Sequence, residues 1–328
     1  MNTPSDNQRR SSICLVVPYF GKLPPYLNCF LRSCEYNPDI NWLILADDTP
    51  PARLPSNVHF HKATIEELCR LFSAKAGFEV SLLNPYTLCN FRPAFGLFFE
   101  SQLKGYDFWG HCDFDMIFGN LRKFLTEDIL ASHDKILCRG HLTLYRNTEK
   151  VNRYFLLECP GVQNYREKFL DPDKTRLQWD EWRGINLILR YHGIKQFHDE
   201  FIVDVKPPTR WKITRFESTA GVNYPEQVFY WHRGGVFHAH YNCDRGLADE
   251  EYAYIHFQKR SLPAPEFDLY STPGFFVTPD GFFPYNREPL TEADFARYNR
   301  ERWRPKDEIL RRVLRGIGKR LGLVGKSQ

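Results

Sequence analysis

The sequence predicts an α/β protein built on a mainly parallel sheet with helices on both faces. Three observations predict it. Short apolar runs recur (Ile13-Cys-Leu-Val-Val-Pro-Tyr-Phe, Asn41-Trp-Leu-Ile-Leu-Ala and Tyr106-Asp-Phe-Trp-Gly-His), helical spacing fills stretches between them, and the runs stop at Pro, Gly or acidic residues. The 328 residues are 42% hydrophobic and 16% aromatic, enough for a large core without disulfide staples.

Taken in order, Ile13 to Phe20 reads as a buried strand ended by Pro18 and Gly21, followed by a helix from Tyr26 to Cys34. Asn41 to Ala46 is a second buried strand that stops at Asp47 and Asp48, and Val58-His-Phe-His is a shorter third. Ala63 to Leu71 and Ala94 to Leu103 carry helical spacing, and the second leads through Gly105 into the strand that delivers Asp113 and Asp115 at its carboxyl end. Ile136 to Arg139 and His141 to Tyr145 read as strands, and Asn152 to Leu157 and Asp180 to Tyr191 as helices. The segment from Phe197 to Tyr254 is aromatic and predicts short strands. This gives a main α/β domain over 1–262, an irregular Pro-rich and aromatic extension at 263–305 packed on that domain, and a helix over 306–328.

The nine cysteines are scattered, with no Cys-x-x-Cys pair, so they read as buried reduced thiols in a reducing compartment. No apolar run approaches the roughly eighteen residues of a membrane span, and the expected location is cytoplasmic. From Glu301 to Gln328 nine Lys or Arg against three Asp or Glu give +6, so the other 300 residues carry −2 of the chain's +4. In that tail Ile309, Leu310, Val313, Leu314, Ile317 and Leu321 fall on one side of a helical projection and Arg311, Arg312, Arg315 and Lys319 on the other. The pattern fits a helix lying on an anionic inner-membrane surface, or one docked on the protein itself. No nucleic-acid-binding motif accompanies the charge.

Asp113-Phe-Asp115 is the central chemical signal. Carboxylates two residues apart at a strand end project to the same side, where they can hold a hard divalent cation. Their setting, Trp109-Gly-His-Cys-Asp-Phe-Asp-Met-Ile-Phe-Gly, is otherwise apolar, and unpaired charges there are costly unless a ligand or cation compensates them.

Ile13 to Phe20, Asn41 to Asp48, Asn90-Phe-Arg-Pro-Ala-Phe-Gly and Gly105 to Asn120 together resemble a family of bacterial glycosyltransferase-like proteins of GT-A fold that assemble polysaccharides. The resemblance implies a Mn²⁺ or Mg²⁺ ion and a nucleotide-sugar donor, a UDP-sugar first among the candidates. It implies Asp115 as direct metal ligand and Asp113 as a second ligand or a contact to ribose or metal-bound water. It also implies a late metal-binding histidine followed by a diphosphate-binding cation, for which Tyr254-Ile-His-Phe-Gln-Lys-Arg offers His256 and Lys259.

Pro18, Tyr19 and Phe20 end the first strand where a nucleotide would enter, and Asp47 or Asp48 ends the second, where a carboxylate accepts bonds from uracil or ribose or else caps a helix. Arg92 is a candidate for nucleotide phosphates or for a salt bridge at a helix start near Pro93. The resemblance further implies an acidic residue facing the acceptor hydroxyl as general base, for which Trp179-Asp-Glu-Trp-Arg-Gly offers Asp180 and Glu181; the alternative for Asp180 is a helix cap, and adjacency on a helix lets only one of the two point inward. His238 and His240 share a strand face and read as structural, and Trp179, Trp182, Trp211, Tyr230 and Trp231 read as core or sugar-stacking aromatics.

The expected activity is sugar transfer to a saccharide or lipid-linked saccharide acceptor. The alternatives are a metal-dependent nucleotidyltransferase, which releases pyrophosphate, and a carbohydrate-binding or scaffold protein without turnover.

Overall fold

The computed structural model describes residues 9–82, 84–171, 178–198, 201–205, 213, 222–242, 246–258, 262–286 and 289–299. Its strands are β1 Ile13–Tyr19, β2 Ile40–Ala46, β3 Val58–Lys62, β4 Phe108–Cys112, β5 Met116–Phe118, β6 Lys135–Arg139, β7 Leu142–Arg146, β8 Gln196–Phe197, β9 Ile202–Asp204, β10 Gln227–His232, β11 Gly235–Asn242, β12 Gly246–Tyr252, β13 Tyr254–His256, β14 Gly274–Thr278 and β15 Gly281–Tyr285.

The main sheet runs β3-β2-β1-β4-β7-β6-β8. Its first four strands are parallel, and β7 returns antiparallel to β4. β1 shows why its sequence is apolar throughout. Ile13, Leu15 and Val17 pack on one face with Phe30, Leu31 and Trp42, while Cys14 and Val16 pack on the other with Phe72, Phe95 and Trp109. Successive side chains of a strand point to opposite faces, so a strand covered on both sides cannot alternate with polar residues. Gly110 in β4 is fixed by the same crowding: a Cβ there would lie 2.3 Å from the Thr143 carbonyl oxygen and 2.8 Å from Leu15.

The helices follow local signals more loosely than the strands do. The helix Ile65–Ala76 starts at a Thr64/Glu67 capping box and ends at Gly77 in the left-handed region, beyond the Leu71 that hydrophobic spacing alone marks. The helical stretch expected from Ala94 to Leu103 is a 3₁₀ segment, Pro85–Ala94, running into only four α-helical residues, Phe95–Phe98. Pro93 lies within that segment and has no N–H to give, which disfavours a continuous α-helix there. The helix expected to begin at Asp180 begins at Ile185, with Gly184 at its cap, because residues 179–184 form a turn.

The stretch expected to be an irregular extension contains regular structure among its described residues. β14 and β15 form a hairpin, and β14 pairs with β10 in a five-stranded antiparallel sheet, β12-β11-β10-β14-β15. Phe275, Phe276 and Val277 are buried there, which is why this Pro-rich stretch is so aromatic. The helix Glu292–Tyr298 packs on the same sheet through Phe295 and Tyr298. A third sheet, β5-β13-β9, carries the end of the candidate site. The 306–328 helix lies outside the described residues. No helix among the described residues is long and apolar enough to cross a membrane.

Candidate metal centre

In the order β3-β2-β1-β4 the chain reverses its direction of travel across the sheet between β1 and β4. Loops at the carboxyl ends of two such strands diverge and leave a crevice, the place where open α/β sheets take their ligands. Tyr19 and Phe20 end β1 there, and Asp113-Phe-Asp115 follows β4. Phe114 turns inward against Tyr19 and Phe30, with ring centroids 5.0 and 5.1 Å away. The two carboxylates flank this buried anchor.

β5 then pairs antiparallel with β13, and β13 pairs in parallel with β9. This register places His256 opposite both Met116 and Asp204. Asp113, Asp115 and His256 thus converge, offering one ligand atom each within 4.8 Å of one another. His256 Nε2 lies 3.4 Å from Asp115 Oδ1, and its Nδ1 lies 2.9 Å from Asp204 Oδ1. Burial alone would depress the imidazole, but Asp115 and then Asp204 hold its pKa up at about 10. Asp204 accepts from Gln258 as well; burial pushes its carboxyl up, but the His256 hydrogen bond, the neighbouring His141 and His256 rings and the Gln258 bond together hold it below the usual range. A carboxylate behind the far nitrogen of a ligating histidine fixes its tautomer and ring orientation, and Asp204 is so placed.

His141 stacks on His256, with centroids 4.2 Å apart, and its Nδ1 lies 3.1 Å from the Tyr254 hydroxyl. Burial, then the neighbouring His256, pushes His141 well below the usual histidine range, so its ring is neutral.

Beyond the acidic pair, Arg92 knits three segments together. Its guanidinium bonds Asp113, lies 3.1 Å from Asp180 Oδ2 and donates to the Gly140 carbonyl at 2.7 Å. Of the two roles open to Arg92, the salt bridge is present, but it runs to strand-end and turn carboxylates rather than along a helix start. Asp180 caps no helix. Burial first, opposed by Arg92 and reinforced by Glu181, pushes its pKa up to about 7. Glu181 accepts from the Gly140 amide. A Cβ on Gly140 would meet Glu181 Oε1 at 2.7 Å and Asp180 Oδ2 at 2.9 Å, so both carboxylates crowd one glycine. The expectation that only one of the pair turns inward assumed a helix; a turn lets consecutive side chains converge.

The β2 carboxylates have a different setting. Asp47 accepts from the Gly21 amide at 2.8 Å, and Asp48 from the Leu23 and Thr49 amides at 2.9 and 2.8 Å. They tie the loop after β1 to the end of β2, and no helix follows for Asp48 to cap. The bonds from Leu23 and Thr49 lower the Asp48 pKa. Pro18 is part of β1, and Tyr19 is half-buried, with its phenol pKa raised by burial and by Asp115. Lys259 and Trp211 lie outside the described residues.

His238 is 3.0 Å from Gln227 Oε1 and His240 stacks on Tyr224; among the described residues neither joins a group of three metal-capable donors. Trp179 and Trp231 are core residues, whereas Trp182 is partly exposed and stacked on His198. Sequence reasoning missed Asp204, His141 and Gly140. Asp204 carries one faint signal, an apolar strand ending in a carboxylate as β2 does.

Fold and site together define an α/β protein with a candidate divalent-cation centre at the crevice of its parallel sheet. The chain belongs to DUF6625, a family of unknown function, which it matches over residues 15–286. No curated protein matches it. Solved structures similar to it include mouse xyloside xylosyltransferase 1 in its apo form, 10% identical, covering 60% of this chain and 88% of that one, with a TM-score of 0.35. Another is the apo form of glycosyltransferase GlyE of Streptococcus pneumoniae TIGR4, 9% identical, with a TM-score of 0.29. A further GlyE structure has the same identity and score, and the chain spans 46% of the GlyE chain in both. Likeness of this order leaves the reading of the site to its own geometry.

Proposed function

We propose that this chain is a divalent-cation-dependent glycosyltransferase of GT-A type, transferring a sugar from a nucleotide donor to a saccharide or lipid-linked saccharide. The observation that carries this reading is the convergence of Asp113, Asp115 and His256 at the carboxyl edge of the sheet, beside the end of β1. Two carboxylates and one imidazole suit Mn²⁺ or Mg²⁺. Such an ion, when bound, offsets charge on a departing nucleoside diphosphate.

The chain's own residues supply the rest. Asp204 orients His256 so that Nε2 faces the acidic pair. Arg92 fixes the orientation of Asp113 and Asp180 at once. Asp180, with a pKa of about 7, is poised to hold or release a proton near neutrality, as a general base for an acceptor hydroxyl must. Tyr19, Phe20 and the Asp47–Asp48 clamp form the wall on which the nucleotide would lie. We assign the reaction to surface-polysaccharide assembly at the inner membrane face, a reading supported by the amphipathic tail and the resemblance of the strand-end motifs.

The test is a thermal-shift screen of UDP- and GDP-sugars with and without Mn²⁺ on the parent and on Asp115→Ala. Cation-dependent stabilisation by a nucleotide-sugar in the parent, lost in the variant, is expected. Equal shifts in the two proteins would remove this assignment.

A further inference from the structure

His256 belongs to two donor sets. One is the acidic pair; the other consists of His141, Asp204 and His256, whose ligand atoms also lie within 4.8 Å of one another. All three members of the second set are buried, at 5%, 3% and 7% exposure. Within it, His141 Nε2 is buried with no hydrogen-bond partner. The same ring's Nδ1 lies 3.1 Å from the Tyr254 hydroxyl. With the Nδ1 proton donated to the Tyr254 oxygen, Nε2 is left as a bare lone pair, which is what a metal ligand requires. A buried ring nitrogen without a partner needs an explanation, and ligation supplies one.

The two sets differ in chemistry. Two carboxylates and one imidazole suit hard Mn²⁺ or Mg²⁺, whereas two imidazoles and one carboxylate suit Zn²⁺, a borderline ion that also stands higher in the affinity order of divalent metals. We propose that His141, Asp204 and His256 form a second cation site selective for Zn²⁺, which shares His256 with the acidic centre and competes with it.

Competition follows from the imidazole itself. A neutral ring has one lone pair and one N–H. Ligation through Nε2, on the Asp115 side, leaves the proton on Nδ1, donated to Asp204. Ligation through Nδ1, on the Asp204 side, moves the proton to Nε2, facing Asp115, where it blocks the first site. The zinc site stands on its own three donors; only the competition rests on the acidic pair being a cation centre.

The experiment uses the full chain, Zn²⁺ and Mn²⁺ alone, with free Mn²⁺ followed by electron paramagnetic resonance and Zn²⁺ affinity by calorimetry. Zn²⁺ is expected to release bound Mn²⁺ one for one. His141→Gln should weaken Zn²⁺ by at least the ~10–100-fold that even an outer-shell change costs, with Mn²⁺ affinity kept within about threefold. Asp115→Ala should do the reverse. Should His141→Gln fail to fold, Tyr254→Phe keeps the ring and removes the hydroxyl that positions His141, and a Zn²⁺ loss of about tenfold is expected. Zn²⁺ affinity unchanged in His141→Gln and Tyr254→Phe, zinc lost together with manganese in Asp115→Ala, or both ions bound at once would overturn the proposal. Unchanged Mn²⁺ affinity in Asp115→Ala would instead sink the proposed function and leave the zinc site standing.

Discussion

Replacing Arg92 by Met keeps most of the side-chain stem and deletes the charge that Asp113 and Asp180 share. In the parent the Arg92 and Asp180 side chains are 14% and 4% exposed and 3.1 Å apart. Removing one partner of a buried pair leaves the other charged and unsolvated, at a cost of about 3–5 kcal/mol. The Asp113 side chain is 31% exposed, so solvent screens its share and most of the cost falls on Asp180. The penalty has a definite pH dependence. Burial pushes Asp180 from 3.8 up to about 7 in the folded chain even with Arg92 present. A folded-state pKa above the unfolded one means that, between those values, the folded chain holds a proton the unfolded chain has released. Stability therefore falls as pH rises through that window, by at most about 1.4 kcal/mol per pH unit. Without Arg92 the folded pKa rises further and the window extends upward. Arg92→Met should then cost little near about pH 5, where Asp180 stays protonated in both proteins, and at most about 1.4 kcal/mol more for each pH unit above about 7, so that the full amount is reached only toward about pH 10. Urea unfolding of parent and variant across that range measures it. Arg92→Met/Asp180→Asn should recover part of the loss, a coupling that a double-mutant cycle reads directly. A loss below about 1 kcal/mol at the alkaline end, or the same loss at both ends, would refute the reasoning.

Three further outcomes follow from the structure and the sequence. A cation at His256 Nε2 must replace the proton that Asp115 and Asp204 hold there up to about 10, so Mn²⁺ affinity should climb about tenfold per pH unit below that value; a profile already flat at neutral pH would exclude His256 as a ligand. Gly110→Ala places a Cβ 2.3 Å from a backbone oxygen in the middle of the main sheet and should cost about 1–3 kcal/mol or more; an unchanged melting temperature would mean that β4 and β7 can separate there. Deleting residues 306–328 should abolish pelleting with anionic liposomes, and undiminished pelleting would remove the membrane role of the tail.

β1 and β2 were legible because burial on both faces leaves a simple trace, a nearly uninterrupted apolar run, and they begin and end within two residues of where that trace does; β3, an edge strand, left an alternating trace instead. The Asp113-Phe-Asp115 motif was legible because charges in an apolar stretch are conspicuous. Residues 180–184 were misread as helix, since hydrophobic spacing is blind to a turn that precedes the real cap at Gly184. The aromatic stretch after 262 was misread as irregular because its prolines dominate the pattern, whereas the pairing of β14 with β10 depends on residues more than forty positions away.

By itself, then, the sequence determined what is local: the buried strands, the acidic motif at the end of β4, the late histidine and the charged, amphipathic tail. Tertiary structure alone decided what depends on register and packing. Parallel pairing of β9 with β13 puts Asp204 behind His256 across fifty-two positions, and Arg92 meets Asp113 and Asp180 only because the main sheet and the 179–184 turn close on Gly140. Periodicity records which face a side chain takes, but not which distant segment lies opposite it, and the chemistry of this site consists of such oppositions.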